Sequence, residues 1–240
     1  MFPIGDDREP GGSAAVVVFA LIALNAIAFL LELSQPSEGA LQSFIQAWGV
    51  VPREYVARQD LPPSIPAPFW ATLFTSMFLH AGWMHIGGNM LYLWIFGDNI
   101  ERAMGHARFL VFYLICGVAA GLAHILASGA SNIPSLGASG AISGVMGGYL
   151  VLYPHVRVFC FVPPFLFFAL PAWTMLLYWL GLQFFGGLAG LASEEGGGVA
   201  FWAHAGGFVA GLVLVKFFAR PEYVEAHRAG NWSPRRLRAG

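Results

Sequence analysis

The chain has 240 residues, of which 57% are hydrophobic and only 10% charged, with a formal net charge of -1. A soluble globular chain carries roughly 25% charged residues, so this composition excludes a water-facing globule and points to a polytopic membrane protein. Near-neutral charge, without a basic stretch interleaved with aromatics, gives no signature of nucleic-acid binding.

Residues 1–12, with Asp6, Asp7, Arg8 and Glu9, read as a short polar segment. They lack the basic start and cleavage site of a signal peptide. The apolar run that follows, about 13–33, is long enough to span a bilayer and reads as a retained helix ended by Glu32, Ser34 and Gln35. A mixed outer loop, about 34–68, carries Trp48, Arg53, Glu54, Arg58 and Asp60. It closes in a stretch from Leu61 to Phe69 whose prolines exclude regular helix. Further spans are predicted at about 79–96, 107–127, 138–153, 160–190 (its start interrupted by prolines) and 198–218. Cys116 and Cys160 lie in or beside apolar runs and read as buried hydrophobes, not as a disulfide or metal site. The expectation is an all-α bundle of six transmembrane helices forming one membrane domain, 13–218, flanked by cytoplasmic segments 1–12 and 219–240.

Arginine and lysine fix the orientation of such a bundle. With six spans both termini share a side. That side holds Arg8, Arg102, Arg108, Arg157, Lys216, Arg220, Arg228, Arg235, Arg236 and Arg238, while only Arg53 and Arg58 fall on the other. Both termini are therefore expected to be cytoplasmic. The loops before Ser139 and His204 then face outward together.

The fourth span is short. Ala138 to Tyr153 is about 16 residues, roughly 24 Å of helix, against a hydrocarbon core of about 30 Å. A helix ending at the cytoplasmic Pro154-His155-Val156-Arg157 must begin below the outer surface. Ser139 sits at that recessed start, and the uncharged loop Ser131–Ser135 dips in to meet it, which lets water reach a pit around the serine.

Ser139 lies in Gly137-Ala138-Ser139-Gly140 and His204 in Ala203-His204-Ala205-Gly206-Gly207. Polar groups inside a bilayer are costly unless paired, and the simplest pairing is with each other. Gly140, Gly144 and Gly148 recur every fourth residue, and His204, Gly207 and Gly211 share a helical face; small residues on facing stripes allow close helix approach. A paired serine and histidine is the minimal apparatus of nucleophilic acyl transfer. The bland alternative is that these glycines only pack helices and that Ser139 bonds back to its own backbone. A third cluster, from His80 to Met90, puts His85 and Asn89 four apart on one face. With the Ser139 amide they can donate to a developing oxyanion. His80 reads as structural or as a helper, with Gly137 and Ser143 as further supporting positions. A metal site from His80, His85 and His204 lacks the carboxylate or thiolate that many zinc sites add; neither metal nor cofactor is expected. His106, His155 and His227 read as solvated, and His124 as a satisfied structural group. With no Asp or Glu inside the fourth or sixth span, the reading is a dyad, and Glu194 and Glu195 are charged residues of the outer loop.

Taken together, Gly137–Gly140, the spacing of His80, His85 and Asn89, and Ala203–Gly207 resemble the rhomboid family of intramembrane serine proteases, over about residues 13–218. Phe96–Glu101 with Gly105 and Phe109 is similar to the turn between that family's second and third helices. The resemblance implies Ser139 as nucleophile and His204 as general base. It implies His85, Asn89 and the Ser139 amide as the oxyanion hole. It also implies a membrane-embedded hairpin in loop 34–68, and a gate at the start of the fifth helix or in a loop over the site. Some members carry a tyrosine four residues after the serine, stacked on the histidine. Here that position is Ser143, so an aromatic of the fifth span is the candidate replacement. The expected partners are transmembrane protein substrates and the lipid bilayer, and the expected location is a prokaryotic plasma membrane. Two other readings stay open: a transporter or channel lined by His80, His85, Asn89, Ser139 and His204, and a non-catalytic chaperone or trafficking relative.

Overall fold

The computed structural model describes residues 1–7, 14–192 (backbone only from 186) and 201–222. Arg8, Glu9, Glu194, Glu195, His227 and the tail arginines Arg228, Arg235, Arg236 and Arg238 lie outside the described residues. In chain order the elements are β1 (Phe2–Asp6), α1 (Val16–Leu33), α2 (Glu38–Trp48), α3 (Pro52–Ala57), α4 (Thr72–Thr75), α5 (Trp83–Met104), α6 (His106–Ser128), α7 (Ser139–Leu152), β2 (Arg157–Val162), β3 (Leu166–Pro171), α8 (Ala172–Ala192) and α9 (Phe201–Phe218).

The fold is mostly helical, as the apolar runs predict. Among the described residues three helices, α1, α6 and α9, are long and apolar enough to cross a membrane. Apolar side chains cover both faces of α1: Val18, Leu21 and Phe29 turn inward, while Phe19, Leu24, Ile27, Leu30 and Leu31 are exposed, the pattern of a helix whose outer face meets lipid. The first-turn amides of a helix have no partner four residues back. In α1 those of Val17 and Val18 are taken up by the two carboxylate oxygens of Glu101, at 2.9 and 2.8 Å.

Several boundaries depart from expectation. The second span does not stop at Phe96: α5 runs on to Met104 through Phe96–Glu101, which is helix and not the turn. The charges there are satisfied in place, Arg102 bonding Asp98 one turn back at 2.6 Å and Glu101 capping α1. The turn is the single residue Gly105, at φ +81°, a conformation glycine adopts without a Cβ penalty. The first span ends where expected, at Leu33, but Glu32 there is not a solvated charge. It is buried and accepts the His80 amide with both oxygens, at 3.0 and 3.1 Å. Loop 34–68 contains α2 and α3, and its proline-rich part is irregular.

The largest departure concerns the fifth span. Residues 157–171 are a β-hairpin and helix begins only at Ala172. Pro163 and Pro164 sit at the hairpin turn, where their missing amides cost nothing. The alternating exposure of Arg157, Val158, Phe159 and Cys160 is a strand period, not a helical one. The N-terminal segment joins it. β1 pairs antiparallel with β2, Phe2 opposite Phe161 and Asp6 opposite Val158, giving a sheet of order β1-β2-β3. The all-α expectation thus fails for this small sheet. Asp6 then accepts hydrogen bonds from the Tyr149 hydroxyl on α7 at 2.5 Å and from Asn99 on α5 at 2.9 Å.

The core is built around α7. Every residue from Gly140 to Tyr149 is buried, with α5, α6 and α9 packed around it. Gly207 and Gly211 of α9 lie against the carbonyls of Gly140 and Gly144; a Cβ on either would run into that backbone. The same glycine stripe also faces α6, where a Cβ on Gly144 would strike Cys116 and one on Gly140 would strike Ala120. Both Cys116 and Cys160 are buried free thiols. The sheet, the C-terminus of α5 and the end of α9 gather at one end of the bundle, where the Arg220 amide bonds the Ala103 carbonyl at 2.9 Å. The N-termini of α5, α7 and α9 lie at the other.

Candidate active site

Ser139 is the first residue of α7 and His204 lies in the first turn of α9. The glycine-to-glycine packing of the two helices brings residues 65 positions apart into contact: His204 Nε2 lies 2.7 Å from Ser139 Oγ. The serine therefore does not bond back to its own backbone. Its neighbour does, the Ser143 hydroxyl donating to the Ser139 carbonyl at 2.6 Å. Ser143 is fully buried and leaves no aromatic over the imidazole from α7.

The ring is held from α8 instead. His204 Nδ1 is 2.6 Å from Gln183 Oε1, and the Trp179 ring, one helical turn before Gln183, lies with its centroid 5.8 Å from the imidazole. An amide oxygen only accepts. Nδ1 therefore carries the proton, and Nε2 presents its lone pair to the serine hydroxyl. Sequence reasoning anticipated an aromatic of the fifth span but missed Gln183. The available signal was a lone amide side chain in an otherwise apolar helix, which needs a partner as much as a histidine does.

His85 and Asn89 project from the first turns of α5. The Ala81 amide donates to His85 Nδ1 at 3.2 Å, so the proton resides on Nε2, which is then a donor. Gly137 shows where that donor sits. The point its Cβ would occupy is 2.8 Å from His85 Nε2 and 3.6 Å from Ser139 Oγ, and its φ is +119°. Glycine is required there both for space and for backbone conformation. The Gly137 amide, bonded to the Ser76 carbonyl at 2.8 Å, ties the loop before α7 in place, as does the Val50–Ser135 bridge. Asn89 is buried, one of its amide hydrogens directed to the His85 carbonyl at 2.9 Å. A cavity of about 250 Å³ joins these groups, bordered by His85 and Asn89 of α5, Ser139 of α7, Trp179 and Gln183 of α8 and His204 of α9.

His80 does not reach this cavity. It is buried behind His85, ring centroids 5.1 Å apart and edge-on, with its amide held by Glu32. Its contacts make it a buttress. His124 is buried and its Nδ1 has no partner among the described residues, contrary to the expectation of a satisfied group. His106 is half-exposed and bonds Glu101 at 2.5 Å. His155 is exposed.

Such a fold and site define a helical membrane protein with a serine–histidine pair sunk in its apolar interior. The family model of the Rhomboid domain matches residues 67–221, and the chain belongs to the rhomboid family. It is 29% identical over 227 residues to the mitochondrial Rhomboid protein 1 of Saccharomyces cerevisiae, covering 90% of this chain and 58% of that protein. It is 34% identical over 133 residues to the Rhomboid protease GluP of Bacillus subtilis, covering 55% of this chain and 24% of that protein. With the chloroplastic Rhomboid-like protein 11 of Arabidopsis thaliana it shares 38% identity over 78 residues, 32% of this chain and 28% of that one. The chain thus spans less than two thirds of the length of these relatives. Their spread over a mitochondrion, a bacterium and a chloroplast gives no support to a prokaryotic plasma membrane in particular, while an integral membrane location stands.

Proposed function

We propose that the chain is an intramembrane serine endopeptidase that cleaves transmembrane segments of membrane proteins. The observation that carries this reading is the 2.7 Å approach of His204 Nε2 to Ser139 Oγ at the head of a buried helix, with a proton donor, His85 Nε2, beside them. In this reading α1, α5, α6, α7, α8 and α9 are six spans, both termini lie on the cytoplasmic side, and residues 13–218 form the membrane domain between segments 1–12 and 219–240.

His204 Nε2 takes the hydroxyl proton as Ser139 Oγ attacks the scissile carbonyl. The oxyanion is met by His85 Nε2, Asn89 Nδ2 and the Ser139 amide, whose position as the first helical residue leaves it without an intrahelical partner and at the positive end of the α7 dipole. His204 returns its proton to the leaving amine, and water releases the acyl group from Ser139 by the same path. A substrate helix hides its carbonyls in its own hydrogen bonds, so substrates with glycine or proline near the cut, where helix is weak, are favoured. The cavity between α5 and α8 is the route in. The cytoplasmic face, with the arginines of the tail, is a contact for anionic lipid.

The test is labelling of the purified protein with a fluorophosphonate, the adduct mapped by mass spectrometry. Label on Ser139 that is lost in both Ser139→Ala and His204→Ala is the expected result. Full cleavage of a membrane substrate by purified Ser139→Ala would overturn the assignment.

A further inference from the structure

We infer that Gln183 is the positioning residue for His204, filling the place a carboxylate takes in a serine triad, and that it makes assembly of the pair depend on the seating of α8. The inference rests on the reading of Ser139 and His204 as a catalytic pair.

A histidine that must accept a proton at Nε2 has to carry its own proton on Nδ1, and something must hold it there. Among the described residues no Asp or Glu contacts this imidazole; its two ring nitrogens meet Ser139 Oγ and Gln183 Oε1. The reverse arrangement, with the glutamine amide nitrogen donating to Nδ1, would force the proton onto Nε2 and leave the ring unable to accept from the serine. The 2.6 Å contact to Oε1 therefore selects the competent tautomer. Being uncharged, Gln183 orients the ring without the electrostatic support a carboxylate gives to an imidazolium.

Both groups that fix the imidazole apart from Ser139 belong to one helix. Trp179 and Gln183 are four residues apart on α8, and Trp179 also packs on Phe208 with centroids 6.3 Å apart. Gln183 borders the catalytic cavity on one side and, on the other, an apolar cleft of about 440 Å³ between α8 and α9, which Leu180 and Phe201 also border. With open space on both flanks, α8 touches the site chiefly through these side chains. An outward shift of α8 removes the tautomer lock and the ring contact together. A seated α8 restores both, so the histidine becomes a competent base only when the helix beside the entry route is in place.

The experiment measures the rate of fluorophosphonate labelling of the purified full chain as a function of pH, with Ser139→Ala as the blank. The other titratable side chains acting on His204, His85 of α5 and His124 of α6, are left unchanged throughout. Gln183→Leu is expected to label about 10- to 100-fold more slowly at every pH, the scale of a misaligned reactive pair. Its kcat for a membrane substrate should fall while KM changes little. Gln183→Glu, which keeps the acceptor and adds charge, is expected to recover most of the rate and to move the acid limb of the profile to higher pH. A Gln183→Leu rate within twofold of the parent overturns the proposal, as does a Gln183→Glu variant with an unmoved acid limb. The second variant decides the matter if the first does not fold. Label that persists in Ser139→Ala would instead sink the reading of the pair itself.

Discussion

The contact between α7 and α9 can be stressed by one methyl group. In Gly207→Ala the new Cβ lands on the Gly140 peptide, 3.0 Å from its carbonyl carbon and nearer still to its oxygen. Carbon atoms rest about 3.5–4.0 Å apart and the oxygen contact is tighter than the carbon one, so relief requires the helices to separate by about 1 Å or more. Gly207 lies one turn after His204 and Gly140 directly follows Ser139, so the separation acts almost undiluted on the pair. The 2.7 Å hydrogen bond stretches to the edge of hydrogen-bonding range, about 3.2 Å, or beyond it. A displacement of about 1 Å at a reacting pair costs on the order of 100-fold in rate, equivalent to about 2.7 kcal/mol of barrier. Overpacking a core costs about 1–3 kcal/mol of stability, so much of the protein should remain folded while the rate collapses. The assay is fluorophosphonate labelling alongside thermal unfolding, with Gly181→Ala as control, since a Cβ there meets nothing within 4 Å. A Gly207→Ala protein that labels at the parental rate would refute the claim that glycine packing sets the serine–histidine distance.

Two further outcomes are expected. His85→Ala removes a donor from the position of the oxyanion and should lower kcat by about 100- to 1,000-fold with little change in KM, read by steady-state cleavage of a membrane substrate. Asp6→Ala removes an acceptor held by Tyr149 and Asn99 and should cost about 1–3 kcal/mol of stability, seen as a lower unfolding temperature. Its labelling rate well below that temperature should stay within twofold of the parent.

The pair itself was legible because both its members are anomalies: a polar residue in an apolar span has few explanations. His85 and Asn89 were legible for the same reason, and their spacing placed them on one face. The fourth span, expected at about 138–153, matches α7, Ser139–Leu152. Gln183 and Glu32 were equally anomalous, yet neither carries a motif. Glu32 lies close enough to a span end to pass for a boundary, and what identifies each is a partner more than 20 residues away. The charges of α5 misled in the opposite direction. Asp98, Glu101 and Arg102 look like the edge of a membrane segment, but Asp98 and Arg102 pair one turn apart within the helix, and Glu101 is taken up by the amides of α1, a contact that only the tertiary fold supplies. The hairpin at 157–171 was hidden because Phe159, Phe161 and Phe167 extend the apolar run into α8. Only the alternation across β2 and the paired prolines at the turn distinguish it.

The burial of α7 bears on how the chain enters its membrane. This helix has 14 residues, and α5, α6 and α9, not lipid, form its surroundings. A short segment rich in glycine and serine partitions poorly on its own, so it must be sheltered first by α6, its neighbour in sequence. Its glycine face stays without a partner until α9 has been made. Ser139 therefore meets His204 only when α9 is in place, and the pair cannot form on a chain whose synthesis has not yet reached that helix.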